Sequence, residues 1–280
     1  MNGNRCKEVM LLKKNTFRKF GLPTSLVKEF RKQKTKDLRS FKFRGVKIEI
    51  SNPFWFLHSV EEIFIDEIYK FESTITEPLI IDCGANWGLS IIYFKSLYPN
   101  AKIFGFEPDP NIFRMLTNNI KNHHFNNIFL HNKAIWVENA EMIFSCEGGV
   151  GGTFSHFTTY DLPKVSVQTT RLKDILQFHN RINFLKIDIE GAEYEVIKDC
   201  QFSLESVQNI FIEYHGSFGQ PQHLHEILEI ISKAGFRYYL KEAWEIMRNP
   251  FFDKLNGDYD LQINIFCFRP FSAQDISNNG

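Results

Sequence analysis

The stretch Ile80-Ile81-Asp82-Cys83-Gly84-Ala85-Asn86-Trp87-Gly88 decides the fold. An apolar run ending in an acid and a small-residue turn, with a helical pattern behind it, reads as the strand–turn–helix of a nucleotide-binding α/β sheet. Nineteen residues past Gly88, a second apolar run, Ala101 to Phe106, ends in Glu107. An acid at a strand end about twenty residues beyond a glycine-rich turn is how such folds hold the hydroxyls of a ribose. A nucleoside-containing cofactor is therefore expected.

Lys102–Phe106, Asn127–Ile135, Phe184–Ile187, Asn209–Glu213, Phe236–Leu240 and Leu261–Phe268 read as strands beside Leu79–Asp82. Helical spacing marks Leu89–Leu97, a helix begun by Pro108-Asp109-Pro110, one from Gly191 to about Cys200, and Leu224–Ala234 ended by Gly235. This alternation predicts an α/β fold with a mostly parallel sheet and helices on both faces. Ligands of such sheets bind beyond the carboxyl ends of the strands, where strand order switches. Asp82, Glu107, Asp188 and Glu213 each end a different strand, so one rim should collect them. Ala140–Cys146 and Val165–Thr169 read as further strands flanking Gly148-Gly149-Val150-Gly151-Gly152. No Gly-Lys-Ser/Thr follows that run, so it reads as a mobile turn, with Thr153 to Phe157 facing the acceptor, and not as a phosphate loop.

Residues 1–75 read as a basic helical extension with a hairpin or edge strand over Phe41–Ser51 and a helical stripe from Val60 to Phe71. Residues 76–270 form the main domain, and 271–280 a polar, disordered tail. The chain carries 33 Lys/Arg and 33 Asp/Glu, but residues 1–50 hold 15 basic and 4 acidic residues, a net of +11 on a body of −11. Such an arm either neutralises the body or touches an anionic surface, of lipid, polysaccharide or nucleic acid. Its Phe17, Phe20, Phe30 and Phe41 fall at core-like spacing, which argues against nucleic acid. Cysteines 6, 83, 146, 200 and 267 form no CxxC pair, which argues against a disulfide framework and a structural zinc. No run approaches the roughly 18 apolar residues of a membrane span. A cytoplasmic protein, at most peripheral to a membrane, is the expectation.

The turn itself selects among cofactors. Dinucleotide folds use GxGxxG, whereas here an acid precedes the glycines in Asp82-x-Gly84-x-Asn86-x-Gly88, where a pyrophosphate would meet repulsion. An acid there suits a cofactor with a cationic ammonium and no phosphate. S-adenosylmethionine meets that description: turn backbone for its amino-acid end, Asp82 nearby, and Glu107 for both ribose hydroxyls. Gly84 and Gly88 let the backbone approach, and Asn86 tolerates a left-handed turn.

Four blocks then occur in order: Asp82–Gly88, Phe106-Glu107-Pro108-Asp109-Pro110, Thr170-Arg171-Leu172-Lys173-Asp174, and Lys186-Ile187-Asp188-Ile189-Glu190-Gly191-Ala192-Glu193. Over about residues 78–240 the chain resembles the FkbM-type family of S-adenosylmethionine-dependent methyltransferases. The resemblance implies the three-layer, Rossmann-like class I methyltransferase fold, with seven strands of which the last is antiparallel. It also implies O-methylation of sugars or other natural-product hydroxyls. By motif, Asp82, Gly84, Ala85, Asn86, Gly88, Glu107 and Pro108 become cofactor residues, and Asn132 to Ile135, with Ala134, would lie near the adenine.

Methyl transfer is an in-line displacement, so alignment can supply much of the rate, and an alcohol acceptor gains from a base. The candidates are Asp188, Glu190, Glu213 and His215 at the ends of two neighbouring strands. Members of each pair are two residues apart, which in extended chain puts them on one face. His215 has the unperturbed pKa best suited to a base near neutrality. Asp188 is the comparable choice, and Glu190 could instead cap the following helix. The same groups could hold a divalent cation; the resemblance does not require one, and no residue is assigned to a metal. Lys241–Asp258, with Trp244, Met247, Phe251 and Phe252 and with Tyr259 close by, is a long connection between strands and reads as an acceptor wall or lid. Other readings are methylation of a lipid, polyketide or protein group, an NAD-dependent oxidoreductase, and a non-catalytic S-adenosylmethionine-binding or partner-tethering module.

Overall fold

The computed structural model describes residues 16–146, 153–154, 163–253 and 259–270; the glycine run and the tail from 271 lie outside them. A 3-10 turn, Phe17–Phe20, and helix α1 (Thr24–Phe30) lead into the hairpin β1 (Arg39–Phe43)–β2 (Val46–Ile50). Helix α2 (Pro53–Val60) starts on Asn52, whose side chain accepts the Trp55 N–H, with Pro53 in the first turn. A π-helical turn, Glu61–Ile65, follows it.

The expected helix over Val60–Phe71 is therefore misplaced. The helix starts earlier and is spent by Ile65; Glu67 then takes a left-handed φ of 51°, and Ile68 and Tyr69 enter the core in irregular chain.

The main body runs β3 (Leu79–Cys83), α3 (Leu89–Leu97), β4 (Lys102–Phe106), α4 (Pro110–His123), β5 (Ile128–His131), β6 (Ala134–Trp136), β7 (Glu141–Ser145), β8 (Thr153–Phe154) and β9 (Lys164–Arg171). It continues with α5 (Leu172–Phe178), β10 (Phe184–Ile187), α6 (Glu193–Cys200), β11 (Asn209–Ser217), α7 (Leu224–Lys233), β12 (Arg237–Glu242) and β13 (Tyr259–Phe268). Seven strands form one sheet in the order β12-β13-β11-β10-β3-β4-β5. Its strands are parallel except β13, which runs antiparallel between β11 and β12. Strand order reverses between β3 and β10, so their carboxyl ends open the crevice in which such sheets bind ligands.

Two expected strands change. Asn127–Ile135 breaks at Asn132, whose side-chain amide donates to the Glu107 and Pro108 carbonyls, each at 2.9 Å. The chain bends there, and β6 joins β9 in a second, four-stranded sheet. β11 continues to Ser217 because β13 pairs with it throughout, which puts His215 inside a strand and not just past one.

From Phe17 the basic segment is bound to the body. Phe17, Leu22, Phe30, Phe43, Ile48, Ile50 and Phe56 are buried in one apolar cluster with Ile80, Ile91, Phe94 and Leu116 of the main body. Phe56 meets Phe30, Phe41 and Phe43 edge-on, with centroids 5.1–6.3 Å apart. Asn119 of α4, 1% exposed, clamps the hairpin: it accepts the Glu49 N–H at 2.7 Å and donates to the Glu49 and Trp87 carbonyls at 2.8 and 2.9 Å. Asn119→Ala strands these buried backbone groups and is expected to lower stability by about 2–4 kcal/mol. Denaturant unfolding checks this, and a loss below about 1 kcal/mol would mean the hairpin is held by packing alone.

Candidate active site

The turn after β3 is built around the end of β4. Gly84 and Ala85 donate their N–H groups to the Phe106 carbonyl at 3.0 and 2.8 Å. Asn86 sits at φ 46°, in the left-handed region, and its N–H donates to Glu107 Oε2 at 3.0 Å. The other Glu107 oxygen accepts the Asp109 N–H at 2.9 Å. Asp109 in turn caps α4 through the Asn111 and Ile112 amides. Burial pushes the Glu107 carboxyl up to about 8, against the downward pull of its two amide partners. The Asn86 side-chain oxygen is buried and accepts no hydrogen bond, so the turn offers an unused acceptor. Pro108 follows Glu107, Asn132 ties the two loops, and Ala134 is buried at the start of β6.

Asp82 is not an open site for an ammonium. It is fully buried, takes the Ser90 hydroxyl at 2.5 Å, and lies 3.4 Å from Lys186 Nζ. Lys186, on neighbouring β10, also lies 3.1 Å from Asp188 and donates to the Gly84 carbonyl at 2.8 Å. Burial alone would lower the lysine's pKa; Asp188, Tyr69 and Asp82 outweigh it and hold the ammonium well above its ordinary value. Gly84 can pass close to β10 only because it has no Cβ: one placed there would meet the Asp188 carbonyl oxygen at 1.9 Å.

The four expected catalytic groups do converge. Ligand atoms of Asp188, Glu213 and His215 lie within 4.8 Å of one another. His215 Nε2 is 3.5 Å from Glu190 Oε2 and 3.6 Å from Glu213 Oε1. Glu213 and His215 share a strand face as expected, but Glu190 arrives differently, from a turn where its φ is 57°. It does not cap the helix: it accepts the Tyr259 hydroxyl at 3.0 Å, while Glu193 takes the Ile189 and Gly191 N–H groups. Glu193, fully buried, also lies 3.1 Å from His215 Nδ1, and the Tyr259 ring packs on the imidazole at 4.9 Å.

Burial would lower the His215 pKa, but Glu190, Glu193 and Glu213 reverse this and raise it well above its ordinary value. An imidazole that already holds its proton cannot take one from an acceptor, so the expected role of His215 as base conflicts with its surroundings. Burial drives Glu190 up to about 7, and burial with the Asp188 charge drives Glu213 well above the carboxylate range.

Lys186 and Glu193 are site residues without a role assigned from the sequence, and Tyr259, expected near the acceptor wall, instead packs on His215 and donates to Glu190. Lys186 and Glu193 stand within the quoted Lys186–Glu193 block, and Lys186 shares the two-residue spacing that paired Asp188 with Glu190.

Trp244 packs edge-on against Trp55 at 5.4 Å and His58 at 5.0 Å, and His58 lies 3.1 Å from Glu62. The first residues of the expected wall thus rest on α2; residues 254–258 lie outside the described part.

An antiparallel last strand inserted into an otherwise parallel sheet, with no GxGxxG at the switch in strand order, separates this sheet from the dinucleotide-binding ones and makes it the class I methyltransferase fold. The family model described as the methyltransferase FkbM domain matches residues 82–238, from the acid of the turn into β12, and the chain belongs to that family of methyltransferases. Relatives include Methyltransferase 1 of Beauveria bassiana, 26% identical over 210 residues (67% of this chain, 82% of the relative). The 2-O-methyltransferase NoeI of Sinorhizobium fredii is 28% identical over 156 residues, covering 49% of this chain and 63% of the relative. Among solved structures, an FkbM methyltransferase of Methylobacillus flagellatus aligns with a TM-score of 0.45 at 15% identity, over 70% of this chain and 45% of that one.

Gly84→Ala combines a clash with Asp188 backbone and a φ of +89°, whereas Gly45→Ala, at φ +85°, meets nothing within 4 Å. The Gly45 variant is expected to lose only the left-handed penalty, about 1–2 kcal/mol, and the Gly84 variant distinctly more. Equal losses in denaturant unfolding would show that β3 and β10 can separate freely at this point.

Proposed function

We propose that the protein transfers a methyl group from S-adenosylmethionine to a hydroxyl of a saccharide, glycoconjugate or related natural product. The observation that carries this reading is the Glu107 carboxylate, fixed by the Asn86 and Asp109 amides at the carboxyl end of β4 beside the turn after β3, where a ribose diol needs an acceptor. The residues present fit the cofactor: the Glu107 carboxyl stands ready at the end of β4, and the unused Asn86 oxygen suits an ammonium donor. When bound, the cofactor supplies an electrophilic methyl on a sulfonium. The chain's part is alignment and charge. Lys186 holds Asp188 beside the turn, and Asp188 and Glu213 are the groups able to receive or orient an acceptor hydroxyl. The name of the relative NoeI supports oxygen as the acceptor atom. The Trp55–Trp244 pair offers aromatic faces that stack on the C–H side of a sugar ring.

Calorimetric titration with S-adenosylhomocysteine, with NAD as control, tests the cofactor. Binding is expected for the nucleoside alone and is expected to be lost in Glu107→Ala. Because burial lifts the Glu107 carboxyl to about 8, its ionised form is depleted as pH falls below that value. The affinity should then weaken from pH 8.5 to 6.5, by up to about tenfold per pH unit if only the carboxylate binds. A flat profile, or one unchanged in Glu107→Gln, would remove Glu107 from the ribose. For the acceptor, Trp244→Ala should raise the acceptor KM by up to about tenfold and leave that of S-adenosylmethionine within about twofold. Equal shifts in both would defeat the stacking role.

A further inference from the structure

Asp188, Glu213 and His215 bring two carboxylates and an imidazole within 4.8 Å of one another. Three observations distinguish this group from a chance gathering of acids. The His215 side chain is 1% exposed and its Nδ1 is held by the fully buried Glu193 at 3.1 Å. A carboxylate on the far nitrogen fixes the tautomer and makes Nε2 the better donor, as behind most metal-bound imidazoles. Nε2 then stands 3.6 Å from Glu213 Oε1, too long for a good hydrogen bond. It is close to the ~3–3.5 Å separating two donors that share one ion at about 2.1 Å.

The third observation is Asn264. It lies directly across β13 from Glu213, and cross-strand partners project to the same face. It is 1% exposed, and its side-chain oxygen is buried with no hydrogen-bond partner. An unused acceptor beside a carboxyl group is an arrangement that a cation satisfies, and no donor among the described residues reaches it.

We infer that Asp188, Glu213 and His215 form a site for one first-row divalent cation, with the Asn264 oxygen beside it. One imidazole with two carboxylates suits Mn²⁺ better than Mg²⁺ or Ca²⁺, which prefer oxygen throughout. Lys186 occupies one Asp188 oxygen at 3.1 Å and leaves the other for the ion. The ion takes the place of the Nε2 proton, so the imidazole enters it neutral. Its chemical use would be to bind and acidify the acceptor hydroxyl. That use deepens the proposed methyl transfer and rests on it; the binding of the ion does not.

The test is Mn²⁺ titration of the chelator-treated full chain, followed by electron paramagnetic resonance, with S-adenosylhomocysteine titrated separately on the same sample. One Mn²⁺ per chain is expected, with spin-echo modulation from a directly bound histidine nitrogen in the unaltered protein. Glu213→Gln is expected to lose Mn²⁺ binding while keeping its unfolding transition and its nucleoside affinity. Absence of binding by the unaltered protein, absence of the nitrogen signal, or undiminished binding by Glu213→Gln would each overturn the site. Nucleoside binding without Mn²⁺ would sink the cation alone, and Mn²⁺ binding without nucleoside would sink the cofactor reading alone.

Discussion

The buried ammonium of Lys186 is the interaction on which the site depends. It is 3% exposed, yet it sits between Asp82 of β3 and Asp188 beyond β10, and it also reaches the carbonyl of Gly84. A buried charge without partners is costly; here the lysine's partners are themselves buried acids that would be as costly without it. The arrangement joins the two strands at which the sheet changes direction. It therefore couples the turn proposed to meet the cofactor to the acid proposed to meet the acceptor. Removing Lys186 would leave Asp82 uncompensated in the core, whereas removing a surface lysine would leave only a solvated carboxylate.

The N-terminal segment supports the same site from the other side. Tyr69 packs on Phe211 at 4.8 Å, and the Lys186 ammonium lies 5.9 Å from the Tyr69 ring. The π-helical turn carries Glu62, whose charge adds to the raised pKa of Glu213. From Phe17 onward this segment shares the core of the sheet. Its described basic residues lie largely at the surface around Phe rings that are core, so the charge is carried by a segment packed against the body. Among the described residues no helix is long and apolar enough to cross a membrane.

Much of this was legible in the sequence because parallel strands are buried on both faces and read as unbroken apolar runs. Leu79–Asp82, Lys102–Phe106 and Phe184–Ile187 needed no tertiary information. Asn52-Pro53 carried a helix start that the stripe at Val60 obscured. The break at Asn132 was hidden because its cause is a pair of carbonyls on another loop. Lys186 and Glu193 were hidden for a different reason. A lysine in a strand and a glutamate at a helix start are read as solvated unless the fold is known to bury them. The convergence of Asp188 with Glu213 and His215 followed from strand order; the cage of carboxyls that keeps His215 charged did not.

That cage bears on why a site for a cationic donor should contain cations at all. The cluster sets five carboxyl groups, Asp82, Asp188, Glu190, Glu193 and Glu213, against Lys186 and His215. On the proposed chemistry the sulfonium loses its charge as the methyl leaves. A crevice with all its acids unopposed would stabilise the charged donor more than the transition state, and tight ground-state binding of that kind slows the chemical step. Lys186, buried between Asp82 and Asp188, offsets part of the negative field, and His215 does so only while Nε2 holds its proton in place of the ion.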